Sequence, residues 1–154
     1  VPHFETTTRI RVAPARAFEA SLDIDAHTAS MASSKERAIG GVTAGRIGLG
    51  ESVTWRARHF GVVWRMTSRI TAYEEPSRFV DEQVGGPFAY WRHEHRFTSD
   101  GAGGTVMRDV VDYAAPFGPI GAVVGWIGLH RYMVRLIVVR NEYLKDSLES
   151  TVSE

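Results

Sequence analysis

With 154 residues, the chain has the size of one domain, able to bury roughly 70% of its unfolded surface on a single core. Its 18 basic and 18 acidic side chains cancel, which disfavours the broad field that draws a protein to nucleic acid or to an anionic membrane. The absence of cysteine excludes disulfides, thiolate metal sites and a cysteine nucleophile, and points to a reducing cytoplasm as the compartment.

Val1, Pro2 and His3 carry no signal-peptide pattern. From Phe4 to Val12 the residues alternate, with Thr6, Thr8, Ile10 and Val12 on one side and Glu5, Thr7, Arg9 and Arg11 on the other, the pattern of a half-buried strand. Pro14 suits the first turn of a helix whose apolar stripe is Phe18 and Leu22, and a second short helix is expected over 25–33. Residues 35–50 hold five glycines, which predicts one weak strand and a mobile loop.

From Glu51 the period becomes two and stays so, interrupted near Gly61, Glu75-Pro76, Gly85-Gly86-Pro87 and 100–104; five consecutive antiparallel strands follow. Tyr113 to Leu129 lacks any charge for 17 residues but contains Pro116, Pro119 and four glycines. It falls short of the ~20 residues a bilayer needs, so no membrane span is expected. After Pro119 the period shifts to that of a helix about 30 residues long, its stripe made of Ile120, Val123, Val124, Ile127, Val134, Ile137, Val138, Leu144 and Leu148. The order is therefore strand, two short helices, six strands and a long helix: an α+β protein in one domain, residues 1–154.

The five later strands each carry one face rich in arginine and threonine, Glu94 among its members, which must be solvated. By elimination the inward residues are Val53, Trp55, Ala57 and His59; Trp64, Met66, Ser68 and Ile70; Phe79, Asp81 and Gln83; Trp91, His93, His95 and Phe97; and Met107, Asp109, Val111 and Tyr113. Register is weakest around Phe79, because Val80 and Val84 suit the interior equally well. Seven polar groups, His59, Asp81, Gln83, His93, His95, Asp109 and Tyr113, thus sit among tryptophans and phenylalanines. An unpartnered buried polar group costs about 1 to 3 kcal/mol, so either these groups pair with one another in a filled core or they line a cavity that takes a ligand.

His93-x-His95 also sends two imidazoles to one side of a strand, as metal sites do, with Asp81, Asp109 or His59 available as a third ligand. No third ligand stands at a diagnostic spacing, and neither metal nor cofactor is expected. The glycines at 40–41 and 101–104 do not sit between a strand and a helix as a phosphate loop requires.

The motifs Asp81-x-Gln83, Gly86-Pro87-Phe88, Trp91-x-His93-x-His95-x-Phe97, Gly103-Gly104-Thr105, Asp109-x-Val111-x-Tyr113 and Pro116-x-Gly118 resemble the helix-grip superfamily SRPBCC, in particular a bacterial ligand-binding subgroup. That superfamily includes START lipid-transfer domains, plant pathogenesis-related proteins and polyketide cyclases or dehydratases. The resemblance implies a curved seven-stranded antiparallel sheet around the long C-terminal helix, with two short helices after the first strand and a cavity between sheet and helix. It also implies a hydrophobic small molecule, polyketide- or lipid-like, as the partner; it transfers no catalytic residue.

Read from the residues, His93 and His95 would act as base and acid on a polyketide-like substrate. Asp81 or Asp109 would orient an imidazole, and Tyr113 and Gln83 would bind the carbonyl. The reaction expected is cyclisation or dehydration. Trp55, His59, Trp64, Met66, Trp91, Phe97, Val111, Ile127 and His130 complete the expected ligand-binding set. The alternatives are a non-catalytic carrier or sensor of a lipid-like ligand and, behind it, a protein-interaction module using 114–129 as an apolar patch. The expected assembly is a monomer or homodimer.

Overall fold

The structure is a computed structural model that describes the backbone of residues 3–114 and 119–152 and the side chains of 3–114 and 128–150. In chain order the elements are β1 (His3–Ile10), α1 (Pro14–Ser21), α2 (Ile24–Ser30), a 3-10 turn (Ala32–Ser34), β2 (Arg37–Gly41), β3 (Ser52–His59), β4 (Val62–Glu74), β5 (Arg78–Gly85), β6 (Tyr90–Ser99), β7 (Thr105–Ala114) and α3 (Pro119–Val152). The strands form one antiparallel sheet in the order β1-β7-β6-β5-β4-β3-β2. The expected α+β order therefore holds, with strand 1 ending at Ile10 and the second helix at Ser30. The resemblance-based curved sheet around a long helix is what the chain forms.

Local chemistry accounts for the short helices. Pro14 takes the first position of α1, where its missing N–H costs nothing, and Asp23 caps α2 by accepting the Ala26 N–H at 2.8 Å. Two irregularities in β4, at Thr67/Ser68 and Ile70/Ala72, bend this long strand and curve the sheet. As a result α3 packs closely on β1, α1 and α2 and stands off from the middle strands.

The interior falls into two apolar layers. In one, Phe18 of α1 is fully buried with its ring edge-on to Tyr73, Phe79 and Phe97 at 5.4, 5.7 and 5.5 Å, above Ile10, Met107, Leu144 and Leu148. In the other, Phe4, Trp91, Val111, Tyr113 and Ile137 cluster. A polar layer lies between them: Thr6 of β1 pairs with Asp109 of β7, which pairs with His95 of β6, and the next residues inward are Arg140 and Asn141 of α3.

Two expectations are corrected. Val138, placed on the apolar stripe, is 41% exposed; the buried stripe runs through Ile137, Asn141, Leu144 and Leu148, so Arg140 and Asn141 occupy positions that the sequence pattern reads as surface. Glu94, placed on the solvated face, is buried because Arg78, Arg92 and Arg96 close over it. Val80 is buried as well, but on that outer face beside Glu94, which leaves Phe79 and Asp81 inward. The side chains of Ile120, Val123, Val124 and Ile127, and residues Pro116 and Gly118, lie outside the described residues. Among the described residues no helix is long and apolar enough to cross a membrane.

Phe18 closes one layer against three rings, so Phe18→Ala is expected to destabilise the protein by about 3 to 5 kcal/mol. Val138→Ser should stay within about 0.5 kcal/mol of wild type. Urea denaturation of the two variants checks both, and a large loss at Val138 would contradict the helix phase described above.

Candidate functional site

Alternation along the strands and the stand-off of α3 leave a cavity of about 250 Å³ between helix and sheet. Its wall is apolar and aromatic: Trp55 and Ala57 from β3, Trp64 and Met66 from β4, Trp91 from β6, and Met133, Leu136 and Ile137 from α3. Ser21, Asp23 and Ser68 also line it, and of the remaining polar groups Asp81, His93, His95 and Arg140 stand at one end. At another stand His27, Glu36, His59 and Tyr132.

The inner cluster is built on Asp109, whose side chain is wholly buried. It accepts hydrogen bonds from His93 Nε2 at 2.7 Å, Asn141 Nδ2 at 2.7 Å, Arg140 Nη1 at 3.2 Å and Thr6 Oγ1 at 3.5 Å. These donors outweigh the cost of burial and hold the carboxyl well below the usual carboxylate range, the contacts to His93 and His95 contributing most. His95 stacks on His93 with ring centroids 3.7 Å apart and gives its Nε2–H to Asp81 Oδ2 at 2.8 Å. Asp81 keeps 21% of its side chain accessible, and that surface faces the cavity.

This pattern fixes the hydrogens. His93 donates through Nε2, so its lone pair is on Nδ1, which points to the Asp81 side, 4.0 Å from Oδ2. Burial first, and the charge of its stacked neighbour His95 second, push His93 down to about 4, so it is neutral at neutral pH. His95 Nδ1 lies 3.3 Å from Asp109 Oδ1 without hydrogen-bond geometry and is the one buried side-chain polar atom without a partner among the described residues. A proton placed there would face a carboxylate, so a base, a shared proton and an acid-accepting carboxylate stand within one contact of each other.

The expected site residues separate accordingly. Asp81, His93 and His95 come together on the cavity wall, and Trp55, His59, Trp64, Met66 and Trp91 line it. Asp109 lies behind His93 and does not reach the lumen. Tyr113, expected to bind a carbonyl, is fully buried in the second apolar layer, and its hydroxyl is bonded to His130 Nδ1 at 2.9 Å; neither lines the cavity, because the two satisfy each other beside Phe4. Gln83 is spent holding the 86–88 turn, giving Nε2–H to Phe88 O at 2.7 Å and accepting Phe88 N–H at 3.1 Å. Phe97 and Val111 are filled into the apolar layers. Ile127 lies outside the described side chains.

Five residues of the site escape the strand pattern. Arg140 and Asn141 are polar residues on a buried helix face, detectable only as a break in the stripe. His27, Glu36 and Tyr132 come from a short helix, a turn and α3, elements without the two-residue period. His27 Nε2 meets Glu36 Oε1 at 2.5 Å while its ring lies 4.4 Å from that of Trp55, and His59 Nδ1 meets the Tyr132 hydroxyl at 2.5 Å. Burial lowers His59, and it raises Tyr132, as does the nearby Glu36 charge.

Asp81, His93 and His95 also present ligand atoms within 4.8 Å of one another, a set that suits a zinc or iron ion with Asp109 supporting His93 from behind. Their spacing favours hydrogen bonding. A zinc at its usual bond lengths would hold neighbouring ligand atoms about 3.3 Å apart, whereas His95 Nε2 and Asp81 Oδ2 are at 2.8 Å.

A folded His93 near 4 against an unfolded value near 6.5 means that the unfolded chain takes the proton first as pH falls. Stability is therefore complete above about pH 6.5 and declines toward pH 4, by about 3 kcal/mol from His93 alone, with His59 acting in the same direction. Urea titrations from pH 7.5 to 4 should show this decline in wild type and a flatter profile in His93→Gln.

The sequence matches, over residues 1–149, the family described as polyketide cyclase / dehydrase and lipid transport. No curated protein matches it. Among solved structures the chain is similar to the ZhuI aromatase/cyclase from Streptomyces sp. R1128, at 17% identity and a TM-score of 0.72 over 98% of this chain and 95% of that one. It is similar to a START superfamily protein from Mycobacterium smegmatis at 10% identity and 0.74, covering 97% and 98%. For TTHA0849 from Thermus thermophilus the values are 14% and 0.73, covering 95% and 99%. At these identities the structures speak for the fold, and it is the match along the sequence, over a chain that folds around one apolar cavity, that assigns the protein: it belongs to the polyketide cyclase / dehydrase and lipid transport family.

Proposed function

We propose that the cavity binds an apolar, polyketide- or lipid-like molecule and that His93, His95 and Asp81 cyclise or dehydrate it by proton transfer. The observation that carries this reading is the neutral His93, its Nδ1 lone pair beside the Asp81 carboxylate that reaches the lumen, in an otherwise apolar chamber.

His93 Nδ1 takes a proton from the carbon next to a carbonyl, and the resulting enolate carbon attacks a second carbonyl of the same folded chain, forming the ring bond. Asp81 passes the new alkoxide the proton that it shares with His95 Nε2, and His93 returns its own proton to the pair, which completes cyclisation. In dehydration His93 Nδ1 takes a second α-proton, the C=C bond forms as the C–O bond breaks, the leaving hydroxide takes the pair's proton and departs as water, and His93 again restores the pair. Trp55, Trp64 and Trp91 hold the reacting carbons near one another, which replaces the entropy a flexible chain would lose. Asp109 acts through His93 by fixing its tautomer, while Arg140 and Asn141 keep Asp109 charged. No metal takes part in this scheme. The similarity to a solved aromatase/cyclase supports it.

The carrier or sensor reading draws on a different observation: the Asp109 carboxylate is already met by His93, Arg140 and Asn141 from inside the protein, as in a structural layer. Native mass spectrometry of protein from its own source should show a retained small molecule, and its absence under non-denaturing conditions would count against both readings.

With that compound in hand, His93→Gln and Asp81→Asn are expected to lower kcat at least about 100-fold while ligand Kd stays within about tenfold. Equal losses in both would identify a carrier. The acid limb of kcat/KM should fall near pH 4, where free His93 takes its proton, and dialysis against EDTA should leave the rate unchanged.

A further inference from the structure

The formal charge of zero averages over a very uneven surface. Between Glu51 and Glu74 the sequence carries Arg56, Arg58, Arg65 and Arg69 and no acid. Sheet register places Arg37 opposite Arg56 and Arg56 opposite Arg65, so three exposed arginines face one another across β2, β3 and β4. Arg58, also exposed, stands beside Val63. Directly opposed like charges destabilise a sheet. Arginines elsewhere on the surface, Arg46, Arg78 and Arg108, are paired with glutamates; Arg37, Arg56, Arg58 and Arg65 have no ion-pair partner among the described residues. Arg69 is a different case, since it faces Glu82.

The hairpin that carries these arginines ends in an apolar tip. His59 pairs with Val62, so Phe60 and Gly61 form a two-residue turn, and both have positive φ, 54° and 72°. Such a turn favours Asn-Gly, and a bulky aromatic in the left-handed region is held there against its own preference. Phe60 is nevertheless 68% exposed, and Val62 and Val63 beside it are 51% and 45% exposed. The tip adjoins the cavity: Phe60 lines its mouth and lies 4.5 Å from the Tyr132 ring. A strained, exposed aromatic flanked by two valines is a feature that solvent does not reward.

We propose that the β3–β4 hairpin docks on an anionic lipid bilayer. Phe60, Val62 and Val63 enter the acyl boundary, while Arg58, about 7 Å back along the strand, and the Arg37, Arg56 and Arg65 row meet the lipid phosphates. The cavity mouth is thereby held against the membrane, where an apolar ligand is delivered without crossing water. A second copy of the chain is a poor occupant, because a two-fold contact would oppose the same arginines. A nucleic acid would satisfy the arginines but leave the two valines, which cannot stack on bases, in water.

The test is co-sedimentation of the full chain with vesicles of phosphatidylcholine alone or with added phosphatidylglycerol. Wild type should bind only the mixed vesicles and be released by salt. Arg58→Gln with Arg65→Gln should weaken partition by about fivefold for each arginine, about 25-fold together, and Val62→Ser with Val63→Ser by at least about tenfold. Neither pair lines the cavity, so uptake of 1-aminoanthracene, a neutral fluorescent polycycle, should be unchanged in both; that readout addresses ligand binding separately from docking. Absent binding, or equal and salt-independent binding to both vesicle types, overturns the proposal. So does self-association in lipid-free solution that the arginine variants abolish, or binding to duplex DNA that equals vesicle binding and ignores the valine substitutions. If either variant fails to fold by circular dichroism, the wild-type lipid and salt dependence alone decides.

Discussion

A single carboxylate, that of Asp109, sets the terms for the interior of this protein. Bringing a carboxylate to zero exposure costs several kcal/mol unless it is met by strong donors. Here the donors come from three directions, Thr6 on β1, His93 on β6 and the neighbouring pair Arg140 and Asn141 on α3. Satisfying all of them at once leaves α3 one rotation and one height against the sheet. The imidazole of His93 is then locked in one tautomer, and the stacked His95 is carried with it.

Layering follows from that constraint. A polar stratum across the middle of the fold separates the Phe18 layer from the Tyr113 layer. On the β1 side α3 lies close to the sheet, whereas toward β3 and β4 the bent strands move away from it. The gap is lined by large side chains that touch one another incompletely, which is why a cavity exists where an ordinary core would be filled. Its inner end is the cut edge of the polar stratum, so the residues that stabilise the helix position and the residues presented to a ligand belong to one network.

Alternation was enough to read the faces of β3, β4, β6 and β7, because a period of two admits only two orientations and arginine settles which is wet. Depth is another matter. Phe97, Val111 and Tyr113 share a face with His93 and Trp91, yet they are capped by helices and by His130, and nothing in a strand pattern tells a filled layer from an open one. Gln83 faces inward as its position predicts, but the 86–88 turn consumes its amide. On α3 the polar character of Arg140 and Asn141 disguised the buried stripe and shifted its apparent phase onto Val138. The arginine row is equally hidden, since Arg37, Arg56 and Arg65 become neighbours only through register.

The two polar ends of the cavity are linked by α3 and differ in kind. Tyr132 touches His59 and Arg140 touches Asp109; they are eight residues apart in the helix (132 to 140), hence about 12 Å along its axis. The inner end is held by its own carboxylates, with His95 Nδ1 the one buried side-chain polar atom left without a partner among the described residues. At the outer end the His27–Glu36 and His59–Tyr132 pairs join separate elements, α2 to the turn before β2 and the β3–β4 hairpin to α3, so a ligand that enters there must pass contacts that can part without unfolding the sheet. A molecule suited to both ends has an elongated apolar body with a hydrogen-bonding group near each terminus. Small polar metabolites are disfavoured on solvation grounds, because the largely apolar wall between the ends offers them few replacements for water.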